Sequence, residues 1–402
     1  MPAWGGALSA TLIVQIASSF AGAAIPLMGP LLTARWGLQP TDIGYVSTLI
    51  SMGICWFLAC GSPMLENYGP IRTLQIGLGF IGVGILFLLQ PGGTAVWAGA
   101  LMVGLGLAPN TPAGSQLLLR TSPPRHRSLI FSIRQAGVPL GGVVAGLLVA
   151  PIIGQYGIEK AVMTVAALVL VSIALVQPFQ RTLDVEAGPK TKAWPISFLT
   201  PFFLARTMRA LKTHPTLPVL TLFGMSFSLT QACVTAFTAT YLVVEQGKSL
   251  SQAGAYVAVL LSSSAVARIG FGWLADRTGN GLSLLGFLSL GSACALMLLT
   301  WMTRESNVAT VTGCMMLVGA TTMGWNGVHM AELARVSPRD SVGEVTSGAN
   351  LFGFVGSICG PLAFAALIGA TGSFAWAYIG ISMQLALFGA GFLIIRRAGR
   401  CI

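Results

Sequence analysis

Apolar runs long enough to cross a bilayer follow one another almost without pause along this chain, which removes most of the folds open to 402 residues. A spanning helix needs about 20 predominantly apolar residues. Twelve such runs lie near 8–33, 43–61, 71–90, 95–119, 129–153, 161–179, 216–243, 253–274, 281–302, 308–333, 345–370 and 375–395. Most gaps are tight turns with helix breakers, such as QPGGT at 90–94 and TGSF at 371–374. Only 8% of the residues are charged, where a soluble domain carries about 25%. The chain therefore reads as an integral membrane protein. Its 50 glycines and 21 prolines lie within apolar runs, where both are commoner than in soluble helices, and they carry no signal of disorder.

The formal net charge of +11 comes from short basic gaps between the runs. No charged face or tail exists to hold nucleic acid. With the N-terminus in the cytoplasm, the outer loops hold only Arg35, Lys160, Lys248 and Arg304 of the 22 basic residues. The inner loops and the C-terminal tail hold all the others except Arg134 and Arg268, which lie within spans. The bias predicts a multi-pass plasma-membrane protein of the bacterial inner-membrane type, with both termini cytoplasmic. MPAWGGALSA at the start lacks a basic n-region and a convincing cleavage site, so the first helix is expected to stay uncleaved. Of the seven cysteines, at 55, 60, 233, 294, 314, 359 and 401, six fall in apolar runs. They read as small buried hydrophobes rather than disulfides or metal ligands.

One long gap divides the chain into an N-terminal six-helix bundle (1–180), a cytoplasmic linker (181–215) and a C-terminal six-helix bundle (216–402). The gap carries Arg181, Lys190, Lys192, Arg206, Arg209 and Lys212, and PFFLARTMRALK (201–212) within it reads as an amphipathic helix on the inner surface. Topology alone accounts for its charge; a lipid or partner site is the alternative.

Two pieces recur across the halves. SPMLENYGPIR (62–72) follows span 2 and GWLADRTGNGL (272–282) follows span 8, matching Glu66 with Asp276. RTSPPRHRS (120–128) follows span 4 and RVSPRDSVG (335–343) follows span 10, matching Arg120 with Arg335, and the same register pairs Gln135 with Asn350. Matched halves of one orientation are the layout of a transporter with its site at the repeat interface.

The loop GWLADRTG resembles the signature G-x-L-x-D-R-x-G of the major facilitator superfamily, found between helices 2 and 3 and helices 8 and 9. Gly272, Leu274, Asp276, Arg277 and Gly279 match, while Asn280, Gly281 and Leu282 stand where basic residues are usual. In the worn first copy, Ser62, Glu66 and Asn67 replace the glycine, aspartate and arginine, and Gly69 and Arg72 survive. GVPLGG (137–142) is similar to the family's glycine–proline motif. The resemblance implies an all-α integral membrane fold of twelve transmembrane helices in two pseudo-symmetric six-helix bundles, working by alternating access. It implies a gate in which Glu66 and Asp276 face the N-termini of helices 11 and 5, whose dipoles and free N–H groups favour an anion. Arg120 and Arg335 would complete the pairs, with Arg277 beside them. A role in folding and topology alone is the alternative for these residues.

None of the eleven acidic residues lies in mid-membrane, whereas a proton-driven exporter of cationic drugs usually needs one. The two intramembrane charges are Arg134 and Arg268. At about 1.5 Å per residue, Arg268 lies about 12 Å from Asp276, and Arg134 about 10 Å past Arg127. A charge at the centre of a membrane helix costs about 3 kcal/mol even on the lenient scale, and neither arginine has an acid at i±3 or i±4. An anionic substrate that arrives as counter-ion explains both, since the planar fork matches a carboxylate. The alternative is that they snorkel or cap helix carbonyls. Arg268, Gly272 and Asp276 also resemble helix 8 of the monocarboxylate and oxalate–formate branches, where such an arginine binds substrate.

Gln15, Asn110, Gln135, Gln231, Tyr241, Asn326, His329 and Asn350 are the polar residues that could complete a cavity; interhelical hydrogen bonding is the competing role for each. His329 could carry a coupling proton, or simply be packed. Glycines at Gly137–Gly141, Gly142–Gly146 and Gly356–Gly360 are expected to let helices approach closely. The expected function is secondary active transport of a small organic anion, a mono- or dicarboxylate; the alternative is efflux of amphipathic or drug-like compounds. The histidines at 126, 214 and 329 are far apart and no HExxH occurs, so neither catalysis, a metal nor a cofactor is expected. The expected partners are the anionic substrate, the lipid bilayer and, where transport is proton-coupled, a proton, with the chain monomeric.

Overall fold

The computed structural model describes residues 3–36, 43–90, 93–184 and 202–397. Residues 185–201 of the expected linker, with Lys190 and Lys192, lie outside them, as does Asp42. Every regular element among the described residues is helical. α1 (Ala3–Trp36), α2 (Ile43–Cys60), α3 (Ser62–Tyr68), α4 (Pro70–Phe87), α5 (Gly93–Leu107) and α6 (Asn110–Thr121) lead into α7 (Arg127–Leu183). After α8 (Phe202–Ala210) come α9 (Thr216–Val244), α10 (Leu250–Thr278), α11 (Gly281–Thr300), α12 (Val308–Met323), α13 (Asn326–Val336), α14 (Val342–Thr371) and α15 (Phe374–Arg397).

In hydrocarbon a backbone N–H or C=O has no water to turn to, so apolar runs close their hydrogen bonds internally as helices. α7 holds two spans, broken at Gly157 with φ 79° and ψ 173°, a conformation that glycine adopts at little steric cost. Ten stretches among the described residues are long and apolar enough to cross a membrane. The other two expected spans are the 18-residue α2 and the broken pair α5–α6, so the twelve-helix plan holds. The amphipathic helix expected in the basic gap is α8, which buries Thr207 and Ala210.

Contacts gather the chain into two units. The first comprises Met1–Pro123, Gly137–Ala210 and Pro338–Gly348; the second comprises Pro124–Ala136, Leu211–Ser337 and Ala349–Ile402. The opening turns of α7 therefore fold with α9–α13, and the opening turns of α14 fold with the first unit.

Helices in lipid associate by close packing, because the tails are as apolar as the side chains. In the first unit a Cβ on Gly141 would lie 2.6 Å from the Phe20 nitrogen, and one on Gly137 3.0 Å from Gln15 Cγ. In the second, a Cβ on Gly356 would lie 2.5 Å from the Met225 oxygen and one on Gly360 2.8 Å from the Leu229 oxygen. These close approaches were expected. Gly142 and Gly146 do not share them, since nothing lies within 4 Å of a Cβ on either; they fall on the other side of α7.

Carboxylates close the loose N–H groups that begin a helix. Asp184, just past the end of α7, accepts from the Ile71 and Arg72 amides at 2.9 Å each, at the start of α4. Glu245 accepts from the Phe374 amide at 2.8 Å, at the start of α15. Asp184→Ala leaves two such donors unserved and should cost about 1–2 kcal/mol. Thermal unfolding in detergent should show a drop of a few degrees, with the exposed Glu305→Ala as an unchanged control.

Candidate functional site

Two helices break in mid-course at matched places. A turn at Ala108–Pro109 separates α5 from α6 in the first unit, and a turn at Gly324–Trp325 separates α12 from α13 in the second. Asn110 and Asn326, expected at similar depth, are the first residues of α6 and α13. Each break exposes a carbonyl end and an amide end of a half-helix, which in membranes is tolerated only where something else serves the freed groups.

At the second break that group is Arg268. It is 3% exposed on α10. Its Nε donates to the Met323 carbonyl at 3.1 Å and its Nη1 to the Gln135 carbonyl at 2.7 Å. Met323 is the last residue of α12, so the guanidinium meets the negative end of a half-helix dipole. Arg268 thus takes the carbonyl-capping arrangement and does not snorkel. Arg134 is 0% exposed, one residue before Gln135 in the same unit.

The opening turns of α7 are seated by three further contacts. Asp276 accepts from the Ser128 amide at 2.9 Å through Oδ1 and from the Leu129 amide at 2.7 Å through Oδ2, the contact with a helix N-terminus that the signature loop led one to expect. Ser132 sits between two glycines: a Cβ on Gly272 would lie 2.5 Å from Ser132 Cβ, and one on Gly327 2.7 Å from it. Arg335, expected to complete the Asp276 pair, instead binds Glu332 at 2.7 Å through Nη2 and 2.8 Å through Nε. Two amides already occupy the aspartate oxygens. Arg335, Glu332, Asp276 and Arg127 share a cavity of about 220 Å³. Arg277 lies away from this seat, exposed, with its guanidinium carbon 5.0 Å from the Trp273 ring centroid. Glu66 and Arg120 are exposed members of the first unit, at the ends of α3 and α6.

The remaining polar candidates separate. Asn326 Nδ2 donates to Gln231 Oε1 at 3.1 Å, and both side chains are half-buried, as is Asn350 on α14. Asn110 is buried in the first unit, and Gln15 donates to Ser19 Oγ at 3.2 Å. His329 is 2% exposed. Its Nε2 lies 2.8 Å from the Leu220 carbonyl, its ring meets Trp325 edge-on, and a Cβ on Gly224 would touch it at 2.6 Å. It is a packed histidine bonded to backbone. Tyr241 is a structural tie: it donates to the Leu299 carbonyl and accepts from Gln246 Nε2, both at 2.8 Å. It stands three residues from the end of α9 that leads to α10, whereas Arg268 lies about 27 Å along α10 from that end. Sequence reasoning missed Ser132, Gly327 and Met323. Gly272 belongs to a recognisable loop, but nothing local marks the residues that meet it.

A family profile described as Major Facilitator Superfamily matches residues 8–361. The chain belongs to this superfamily. Among its relatives, an uncharacterised transporter of Mycobacterium tuberculosis is 23% identical over 388 residues, covering 94% of this chain and 84% of the relative. A 4-hydroxybenzoate transporter of Pseudomonas aeruginosa is 24% identical over 403 residues, covering 92% and 88%. The crystal structure of a human organic anion transporter aligns with a TM-score of 0.76 at 13% identity, over 98% of this chain and 100% of the other; at that identity the likeness is one of fold. The protein is a multi-pass membrane transporter of the Major Facilitator Superfamily, and not an enzyme.

Lysine presents a point charge and cannot span two carbonyls as the guanidinium fork does. Arg268→Lys should therefore leave Met323 or Gln135 unserved and destabilise this transporter by about 1–2 kcal/mol. Thermal unfolding in detergent would read this as a clear downward shift, where the exposed Arg339→Lys gives none.

Proposed function

We propose that this protein moves small organic anions, with aromatic monocarboxylates as the leading class, by alternating access across the plasma membrane, with both termini in the cytoplasm. The observation that carries the reading is Arg268. It is a buried guanidinium that carbonyl oxygens alone serve in its described contacts, in a chain with no acidic residue in mid-membrane. The contact with Gln135 belongs to the opening turns of α7, so parting α7 from α10 frees Nη1. A carboxylate is the anion whose geometry fits the released edge. The half-buried Asn326–Gln231 pair offers amide hydrogens beyond the break. Trp325 is stacked with Phe227 at 4.9 Å between ring centroids there and gives the region aromatic character. The relative named as a 4-hydroxybenzoate transporter agrees with a carboxylate cargo.

In this reading the seat of α7 is the inner gate, formed by Asp276 on two amides and by Ser132 between two glycines. His329 is not assigned a coupling proton, because its Nε2 is committed to the Leu220 carbonyl. Ligand-induced thermal stabilisation across benzoates, aliphatic carboxylates and amphipathic cations tests the reading. A ligand at 100 times its dissociation constant adds about 2.7 kcal/mol. A benzoate should raise the unfolding temperature of the wild type and of the distant Lys160→Gln, and should fail to do so for Arg268→Gln. Stabilisation by amphipathic cations alone would replace this reading with efflux.

A further inference from the structure

The basic run PPRHRS at 123–128 does more than the gate requires. Arg127 lines the polar cavity beside Glu332, but Arg125 and His126 line a different one of about 300 Å³, with Leu129, Trp273, Asp276 and Arg277. Both walls belong to the second unit: the turn Pro124–His126 and the start of α7 on one side, the end of α10 on the other.

Two guanidiniums and an imidazole face this space against a single acid. That acid, Asp276, has both oxygens on the Ser128 and Leu129 amides, at the positive end of α7. Arg277 is held over the Trp273 ring, a cation–π contact that fixes its direction. Trp273 is itself 48% exposed, and Val266 (73%) and Ile269 (41%) continue its apolar stripe along α10. Their spacing of three and four residues puts them on one helix face, with Arg277 one turn beyond Trp273. Val266 also lines an apolar groove of about 930 Å³ between α10 and α12, with Met316 and Leu317. Cations, then an interfacial tryptophan, then an apolar track is the order of chemistry along a phospholipid standing at a membrane surface.

We infer that this cavity binds the phosphate of an anionic phospholipid whose acyl chains lie along the Val266–Ile269–Trp273 face. The guanidinium of Arg125 and that of Arg277 grip the phosphate oxygens from opposite walls, a task to which the planar fork is suited. Positions 280–282 of the signature loop, commonly basic in the superfamily, are Asn, Gly and Leu here. Arg125 and His126 on the facing wall add cations to Arg277. The site is independent of what the protein carries.

Native mass spectrometry of the detergent-purified full chain provides the test, with phosphatidylglycerol, phosphatidylcholine or inorganic phosphate added. The wild type should retain phosphatidylglycerol in preference to phosphatidylcholine. Arg125→Gln should weaken that preference about fivefold, the expected loss of one basic residue near an anionic surface, and Arg125→Lys should restore most of it. Trp273→Leu should lower retention while leaving the apolar face intact, and Lys160→Gln should change nothing. Equal retention of the two lipids by the wild type overturns the proposal, as does an undiminished preference in both Arg125→Gln and Trp273→Leu. Displacement of the lipid by inorganic phosphate at matched concentration also overturns it, since a soluble anion would then be the ligand.

Discussion

A helix cannot break inside hydrocarbon unless something takes the carbonyls it lets go, and in the second unit that something is Arg268. One guanidinium nitrogen holds the last carbonyl of α12; another holds Gln135 on α7. The break, the position of α7 against α10 and the burial of a charge are therefore one arrangement. A buried cation is costly alone, and loose carbonyls are costly alone. Together each relieves the other, without a carboxylate.

Three of the acids are used elsewhere, in one way. Asp184, Asp276 and Glu245 each serve amide hydrogens at the start of another helix. At Asp276 the cap also joins α10 to the opening turns of α7, which Ser132 anchors between Gly272 and Gly327. A contact made of two backbone amides and two glycines has little side-chain entropy to lose and no long side chain to rearrange. That rigidity is what the gate proposed above would draw on.

Much of the fold was legible in the residues. Membrane insertion sets a length and a hydrophobicity that each span must meet alone, so twelve spans, the long basic gap and the amphipathic helix could be read locally. The asparagines Asn110 and Asn326 were legible as a matched pair because the halves repeat. Tyr241 and His329 misled, because a polar residue in an apolar run looks the same whether it faces a cavity or a backbone carbonyl on a neighbouring helix. Arg335 misled similarly: Glu332, one turn away on α13, took it before Asp276 could. Ser132 was invisible, since its role is to be small opposite two glycines that lie far away in the chain.

The sequence by itself determined that the chain is a helical membrane protein, how its spans follow one another, and that two arginines would be placed where water cannot reach. These follow from the free energy of transferring each segment, which depends on that segment's own side chains. Tertiary structure alone decided what the arginines touch. The carbonyl of Met323 becomes a partner only because α12 ends there, and that of Gln135 only because α7 packs against α10. Hydrogen bonds to backbone use atoms that every residue carries, so no pattern of residue types could have announced them.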